Sequence, residues 1–168
     1  MMSQKKIRHL STQAKKDDFE YDHDEIGYNY RLSNMQAAVG LAQMERIKEF
    51  VDIKRRNASM YLDLLSDVKG VKFLWENAQA KSNFWFYTIK TAKKHKKKLI
   101  NYLLSRNIQV RPIWKLIHSL PIYKSAQTYR VENAVKAYET CINLPCSLSL
   151  NKKEVEYVSE SIKDYFLK

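Results

Sequence analysis

The sequence predicts an α/β protein: a sheet of about three strands with covering helices, preceded by a long interdomain helix. Three observations carry this. Two runs rich in aromatic and β-branched residues, 71–75 and 83–91, sit close together with a short polar connection. Apolar residues recur at spacings of three and four through most of the remaining chain. Residues 1–32 show no clean period at all.

Length and composition set the outer bounds. At 168 residues, 45% hydrophobic and 29% charged, with 3 Gly and 3 Pro, the chain is long enough for one domain with a core. The same numbers exclude collagen-like, low-complexity and wholly disordered classes. No run of eighteen apolar residues is present, and the basic start has no apolar segment behind it, so neither a membrane span nor a secretory signal is predicted. Cys141 and Cys146 are too few for a disulfide framework and lack the neighbours of a zinc site, which fits a reducing cytoplasm.

Element by element, the first thirty residues read as an ordered loop carrying mixed charge, Asp17 to Glu25 above all. Ser33 with Gln36 three residues on has the arrangement of a capping box, in which hydroxyl and amide each satisfy a free backbone N–H. A helix over 33–66 follows, with a stripe of Ala38, Leu41, Met44, Ile47 and Val51. It resumes after a charged break at Lys54, Arg55 and Arg56 with Ala58, Tyr61 and Leu65. If continuous it is roughly 45 Å long at about 1.5 Å per residue, a spine joining two parts of a larger structure. Gly70 ends it. The two strand-like runs come next, then a basic helix over about 93–106 and a short strand, Ile108 to Pro112, closed by proline. Val131, Ala134, Val135 and Tyr138 mark one further helix, and Val155, Val158, Ile162 and Tyr165 the last, with Asn151 and Glu154 as its capping pair. Residues 67–168 thus form a small α/β domain, whereas 1–32 have no core of their own. The chain reads as the C-terminal part of a larger protein, and apolar surface is expected to stand exposed.

The charge asks for an anionic partner. Thirty Lys and Arg against eighteen Asp and Glu give +12, which attracts nucleic acid, acidic lipid or a phosphorylated metabolite alike. The densest run, Lys93 to Lys98, leads into Leu99, Ile100, Leu103 and Leu104. That pattern reads as the solvated half of an amphipathic helix, with a nucleic-acid footprint as the alternative; no recognisable nucleic-acid motif accompanies it.

Two stretches resemble a known family. Ile7-Arg8-His9-Leu10-Ser11-Thr12-Gln13-Ala14 and Asp24-Glu25-Ile26-Gly27-Tyr28-Asn29-Tyr30-Arg31, running on through Leu32-Ser33-Asn34-Met35-Gln36-Ala37-Ala38-Val39-Gly40, closely resemble the DegT family of pyridoxal-phosphate-dependent sugar-nucleotide aminotransferases. Val110-Arg111-Pro112-Ile113-Trp114 with Leu116, His118 and Tyr123 looks like that family's substrate-side segment, and Asn143-Leu144-Pro145 through Ser149 like its closing motif. The resemblance implies the C-terminal part of a fold-type-I transferase. On that reading 1–32 are a remnant of the large cofactor domain with an active-site loop, 33–66 the interdomain helix and 67–168 the small domain. It implies a homodimer with shared active sites, a nucleotide-linked keto-sugar substrate for surface polysaccharide or glycan synthesis, and an amino donor such as glutamate.

By position, Asn29 and Arg31 match cofactor-binding residues at the phosphate, and an amide and a guanidinium fork both suit phosphate oxygens. The plainer alternative is that Asn29 ties down a turn and Arg31 pairs with Asp24 or Glu25. Tyr28 and Tyr30 read as packing residues more than ligands. Arg111, Trp114 and His118 are the substrate-binding candidates, against domain packing for Trp114 and a surface hydrogen bond for His118. His23 is either a site residue or solvated. The family's lysine that carries the cofactor matches nothing here; Lys5 and Lys6 stand too close to the matched loop, so no catalytic residue is assigned and the chain is expected to be inactive alone. A related subclass with histidine in place of that lysine dehydrates its substrate and fits this segment equally. The other readings are a non-catalytic dimerisation or binding fragment, a chain working with a complementary N-terminal fragment, and a basic nucleic-acid-binding protein.

Overall fold

The computed structural model describes residues 3–16 and 22–167. Backbone contacts divide the chain into two compact units, meeting between Ile47 and Lys48.

The first unit opens with helix α1 (Gln4–Ser11), where a loop was expected. Ser3 caps it, accepting from the Lys6 N–H at 3.3 Å. It has two turns and no buried residue, so no apolar stripe announced it. Of the mixed-charge stretch read as loop, residues 17–21 lie outside the described residues. Helix α2 (Asn34–Glu45) starts on the expected capping box: Ser33 Oγ accepts from the Gln36 N–H at 3.3 Å, and Gln36 Oε1 accepts from the Ser33 N–H at 2.9 Å. None of its residues is buried, and Met35, Val39, Leu41 and Met44 all stand exposed.

The helical stretch is interrupted at Arg46, whose N–H turns back to the carbonyls of Gln43 and Met44. Helix α3 (Ile47–Leu65) then begins and carries the second unit's first core residues, Ala58, Tyr61 and Leu65. Gly70 follows in the left-handed region at φ 91°; a side chain there would also press on the Phe166 ring at 3.2 Å.

The sheet has four strands, one more than the sequence predicts. β1 (Val71–Phe73), β2 (Tyr87–Thr91), β3 (Arg111–Pro112) and β4 (Cys141–Leu144) lie in the order β1-β2-β4-β3, every pair antiparallel. The added strand is β4. It follows directly from helix α5 (Glu132–Thr140) with no glycine or proline to mark the change, and all four of its residues are buried, so it shows no alternation. The expected strand Ile108 to Pro112 shortens to its last two residues, and Pro112 sits on the sheet edge, where a missing N–H costs nothing.

Helices α4 (Lys93–Ser105) and α6 (Lys152–Leu167) complete the second unit. Tyr87 and Ile89 of β2, Ile142 and Leu144 of β4, Leu99 and Leu103 of α4, and Val155, Val158 and Ile162 of α6 join the α3 residues in one buried core. Asn151 and Glu154 cap α6 reciprocally at 2.8 and 3.1 Å. The basic run of α4 is only partly solvated. Lys93 pairs with Glu139 at 2.5 Å, and Lys96 bonds the Tyr138 carbonyl and lies 4.6 Å from that ring's centre, where burial lowers its pKa. His95 meets the Tyr165 hydroxyl at 3.2 Å. Among the described residues no helix is long and apolar enough to cross a membrane.

The segment read as a charged break in α3 is its most engaged part. Lys54 donates to the carbonyls of Trp85, at 3.3 Å, and Cys146. Arg55 grips Glu76 with both terminal nitrogens, at 3.0 and 2.6 Å, and also donates to the Ser82 carbonyl. Asn57 donates to the Leu150 carbonyl at 2.9 Å. The Arg55 fork, helped by the Ser82 N–H, holds the Glu76 carboxyl down at about 2, against 4.5 for an ordinary glutamate. The folded-state value lies below the unfolded one, so this contribution to stability is full above about pH 4.5 and drains away as pH falls toward 2. Urea unfolding of Glu76→Gln across that window is expected to show a shallower acid dependence than the parent, and a lower midpoint at pH 7. Parallel curves for the two proteins would contradict the assignment.

Candidate functional site: a phosphate-type donor loop and a sheet-face cluster

In the first unit, the two sequence stretches that stood out fold onto each other. Residues 10–13 and 28–30 run antiparallel: the Tyr28 N–H donates to the Leu10 carbonyl at 2.7 Å, the Gln13 N–H to Tyr28 at 3.1 Å, and the Tyr30 N–H to Ser11 at 3.1 Å. Thr12 and Asn29 are bridge partners. Ala14 is fully buried in this loop, against Gly27. A Cβ on Gly27 would lie 2.3 Å from the Ala14 nitrogen, so only glycine allows the approach.

Charged groups then lock the loop from outside. His9 Nε2 meets Asp24 Oδ1 at 2.6 Å, Lys6 holds Glu25, Lys16 meets Asp22 at 2.6 Å, and His23 Nδ1 meets the Gln13 carbonyl at 2.7 Å. The His9 hydrogen bond lowers the Asp24 pKa, and the Asp22 hydrogen bond raises that of Lys16. His23 is thus bound to backbone. The network around His9 and Asp24 was not anticipated from sequence, because the pairing depends on a chain reversal between them that no local pattern marks.

Asn29 and Arg31 stand outside this network. The Tyr28 and Tyr30 rings stack at 5.0 Å, and alternation along an extended segment puts the intervening Asn29 on the other side. Both Asn29 and Arg31 are exposed, and among the described residues neither side chain has a hydrogen-bond or ion-pair partner. Asp24 and Glu25, the carboxylates nearest in sequence, are taken by His9 and Lys6. An amide N–H₂ and a guanidinium fork presented free on a fixed loop have the donor chemistry that a phosphate group requires.

The second unit places the other candidates. Arg111 lies opposite Asn143, which is buried and accepts from the Thr88 hydroxyl at 2.7 Å. Trp114 meets the Phe86 ring edge-on at 5.0 Å and the Trp85 ring at 6.1 Å. His118 sits half-buried in the 3-10 turn Ile117–Ser119. Among the described residues no hydrogen bond, ion pair or ring contact ties it to Arg111 or Trp114. Sequence reasoning missed Trp85 and Phe86 as companions of Trp114, because Phe84 to Ile89 read as one strand interior.

A small antiparallel sheet with covering helices is shared with solved aminotransferase structures, matched over less than half of their length. Residues 2–163 match the DegT/DnrJ/EryC1/StrS aminotransferase family, and the chain belongs to it. EpsN of Bacillus subtilis is 34% identical over 96% of this chain and 43% of its own length. The GDP-perosamine synthase of Escherichia coli O157:H7 is 33% identical over 88% of this chain and 40% of its own. Among solved structures, Helicobacter pylori PseC, an aminotransferase involved in the biosynthesis of pseudoaminic acid, superposes with a TM-score of 0.80 and 27% identity, over 97% of this chain and 46% of PseC. The chain therefore spans less than half the length of these relatives.

The loop geometry yields a direct test. Gly27→Ala is expected to open the pairing and raise hydrogen exchange at the Gln13, Tyr28 and Tyr30 amides by about tenfold or more. Unchanged protection at all three would show that Gly27 is dispensable.

Proposed function

We propose that this chain supplies cofactor-phosphate and substrate recognition to a pyridoxal-phosphate-dependent aminotransferase that acts on a nucleotide-linked keto-sugar for surface polysaccharide or glycan synthesis. The observation that carries the reading is the pair of partnerless donors, Asn29 and Arg31, on a loop whose carboxylates Asp22, Asp24 and Glu25 are committed to Lys16, His9 and Lys6. Asn29 donates an amide N–H to one phosphate oxygen and Arg31 offers a two-pronged fork to others. Pyridoxal phosphate, when bound, supplies the electron sink for moving an amino group.

Arg111 takes negative charge on the substrate, Trp114 provides apolar surface beside it and His118 a hydrogen-bonding ring. Glutamate as donor follows from the family reading. No lysine is assigned to carry the cofactor. Lys6 and Lys16 beside the donor loop are bound to carboxylates, and Lys16 is held protonated rather than freed for attack. On this reading the chain by itself has no transaminase activity. The exposed apolar residues of α2, Met35, Val39, Leu41 and Met44, support association with a second copy or with a complementary N-terminal fragment.

The test is a chimera in which this chain replaces the matching part of EpsN. Asn29→Ala and Arg31→Ala are each expected to weaken retention of pyridoxal phosphate about tenfold, the scale of one hydrogen bond to a charged group. Unchanged retention in both variants would remove the assignment.

A further inference from the structure

In the second unit the lysines around the start of α4 serve neither the core nor the candidate site. The exposed positions of that helix follow a single stripe: Lys93, Lys94, Lys97 and Lys98, continued by Asn101 and Leu104. No acidic residue occurs anywhere in α4. At 3.6 residues per turn these lysines fall within about 140° of arc, so their ammonium groups share one side. Leu99 and Leu103, on the other side, anchor the helix in the core.

This placement is unfavourable for the helix itself. Ser33 and Asn151 cap α2 and α6, but α4 begins at Ala92, which offers no side-chain acceptor to the free N–H groups of the first turn. That end carries partial positive charge, and Lys93 and Lys94 add two cations to it. Glu139 neutralises Lys93. Among the described residues, Lys94, Lys97 and Lys98 have no hydrogen-bond or ion-pair partner.

The sheet extends the same charge. Lys72 of β1 and Lys90 of β2 are exposed and directly opposite each other in the antiparallel register, where like charges repel. Neither has a partner among the described residues. They line one groove with Ala92 and Thr140, and Lys93 and Lys97 line the next with Tyr138 and Glu139, so the two grooves meet at the end of α5. An uncapped cationic helix start and an opposed lysine pair lie side by side, and one extended anionic partner relieves both.

We propose that this basic rim docks the chain on an anionic lipid surface. The chemistry favours lipid headgroups over nucleic acid. The rim is all lysine, without the guanidinium forks and exposed aromatic faces that nucleic-acid surfaces use, and a lysine cluster on an amphipathic helix suits phosphates spread in a plane. Leu104, 46% exposed at the end of the stripe, adds an apolar contact for the bilayer interface. The inference is independent of the aminotransferase reading.

The experiment is co-sedimentation of the full chain with vesicles of equimolar phosphatidylglycerol and phosphatidylcholine, beside vesicles of pure phosphatidylcholine, with single-stranded RNA titrated in parallel. Binding to the anionic vesicles alone is expected, and its loss in about 1 M salt, where the screening length is about 3 Å. Lys94→Gln with Lys98→Gln is expected to weaken it about 25-fold, or about fivefold for each lysine. Lys152→Gln with Lys153→Gln removes the same charge from the exposed start of α6 and is expected to leave binding nearly unchanged. The urea midpoint of the α4 variant is expected to hold or rise, since a cation leaves the positive end of the helix, which separates lost docking from a lost fold. Equal loss in the two double variants would reduce the effect to net charge and overturn the rim. RNA bound more tightly than the vesicles, or no vesicle binding at all, would overturn it as well.

Discussion

The second unit depends on about two turns of α3. Lys54, Arg55 and Asn57 each satisfy backbone carbonyls in loops that have no secondary structure to satisfy them, and Tyr61 adds the Pro145 carbonyl at 3.4 Å. Tyr87 returns the contact from the sheet, its hydroxyl donating to the Lys54 carbonyl at 3.1 Å. Burial pushes both tyrosine hydroxyls far above their ordinary range, so each remains a neutral donor. Buried carbonyls without donors are costly, and here one helix pays for two loops at once. Those loops, 76–85 and 145–150, carry Trp85 at one end and the cap of α6 at the other. The helix that bounds the core therefore also holds the Trp85 backbone at the entry to β2.

Much of this was legible in the residues. Both capping boxes follow from a hydroxyl or amide three residues ahead of Gln36 or Glu154, a relation that is wholly local. The apolar stripes of α3, α4 and α6 are likewise local, and each points to the core it joins. What stayed hidden is non-local. The three consecutive charges at 54–56 look like a solvated break because nothing nearby in sequence reveals the carbonyls of Trp85, Cys146 and Ser82 that two of them bind. β4 was hidden by complete burial, which removes the alternation that marks a strand. The aromatic run from Phe84 is split by a single left-handed residue, so one ring enters the core and the next faces out; pattern alone reads it as continuous. α1 was hidden for another reason, since its two turns hold only Ile7 and Leu10 as large apolar residues, too few to set a period.

The proposed recognition groups divide between the two units. The donor loop of the first unit is held by hydrogen bonds and ion pairs with almost no apolar burial, Ala14 being the single fully buried hydrophobic residue among its described residues. Such a loop leaves Asn29 and Arg31 without a carboxylate partner, because Asp22, Asp24 and Glu25 are already paired with Lys16, His9 and Lys6. In the second unit, rigidity comes from the core, and Arg111 and the indoles stand on a sheet whose other face is packed by helices. The chain spans under half of its relatives' length, and the proposed function gives its own residues a part in binding rather than in bond making.

That distinction is open to one direct measurement: incubate the chain with pyridoxal phosphate, reduce with borohydride and map the labelled peptides by mass. The account predicts weak labelling scattered over several exposed lysines. Stoichiometric label on one lysine would contradict it, because the chain would then hold the cofactor covalently and supply the reactive amine itself.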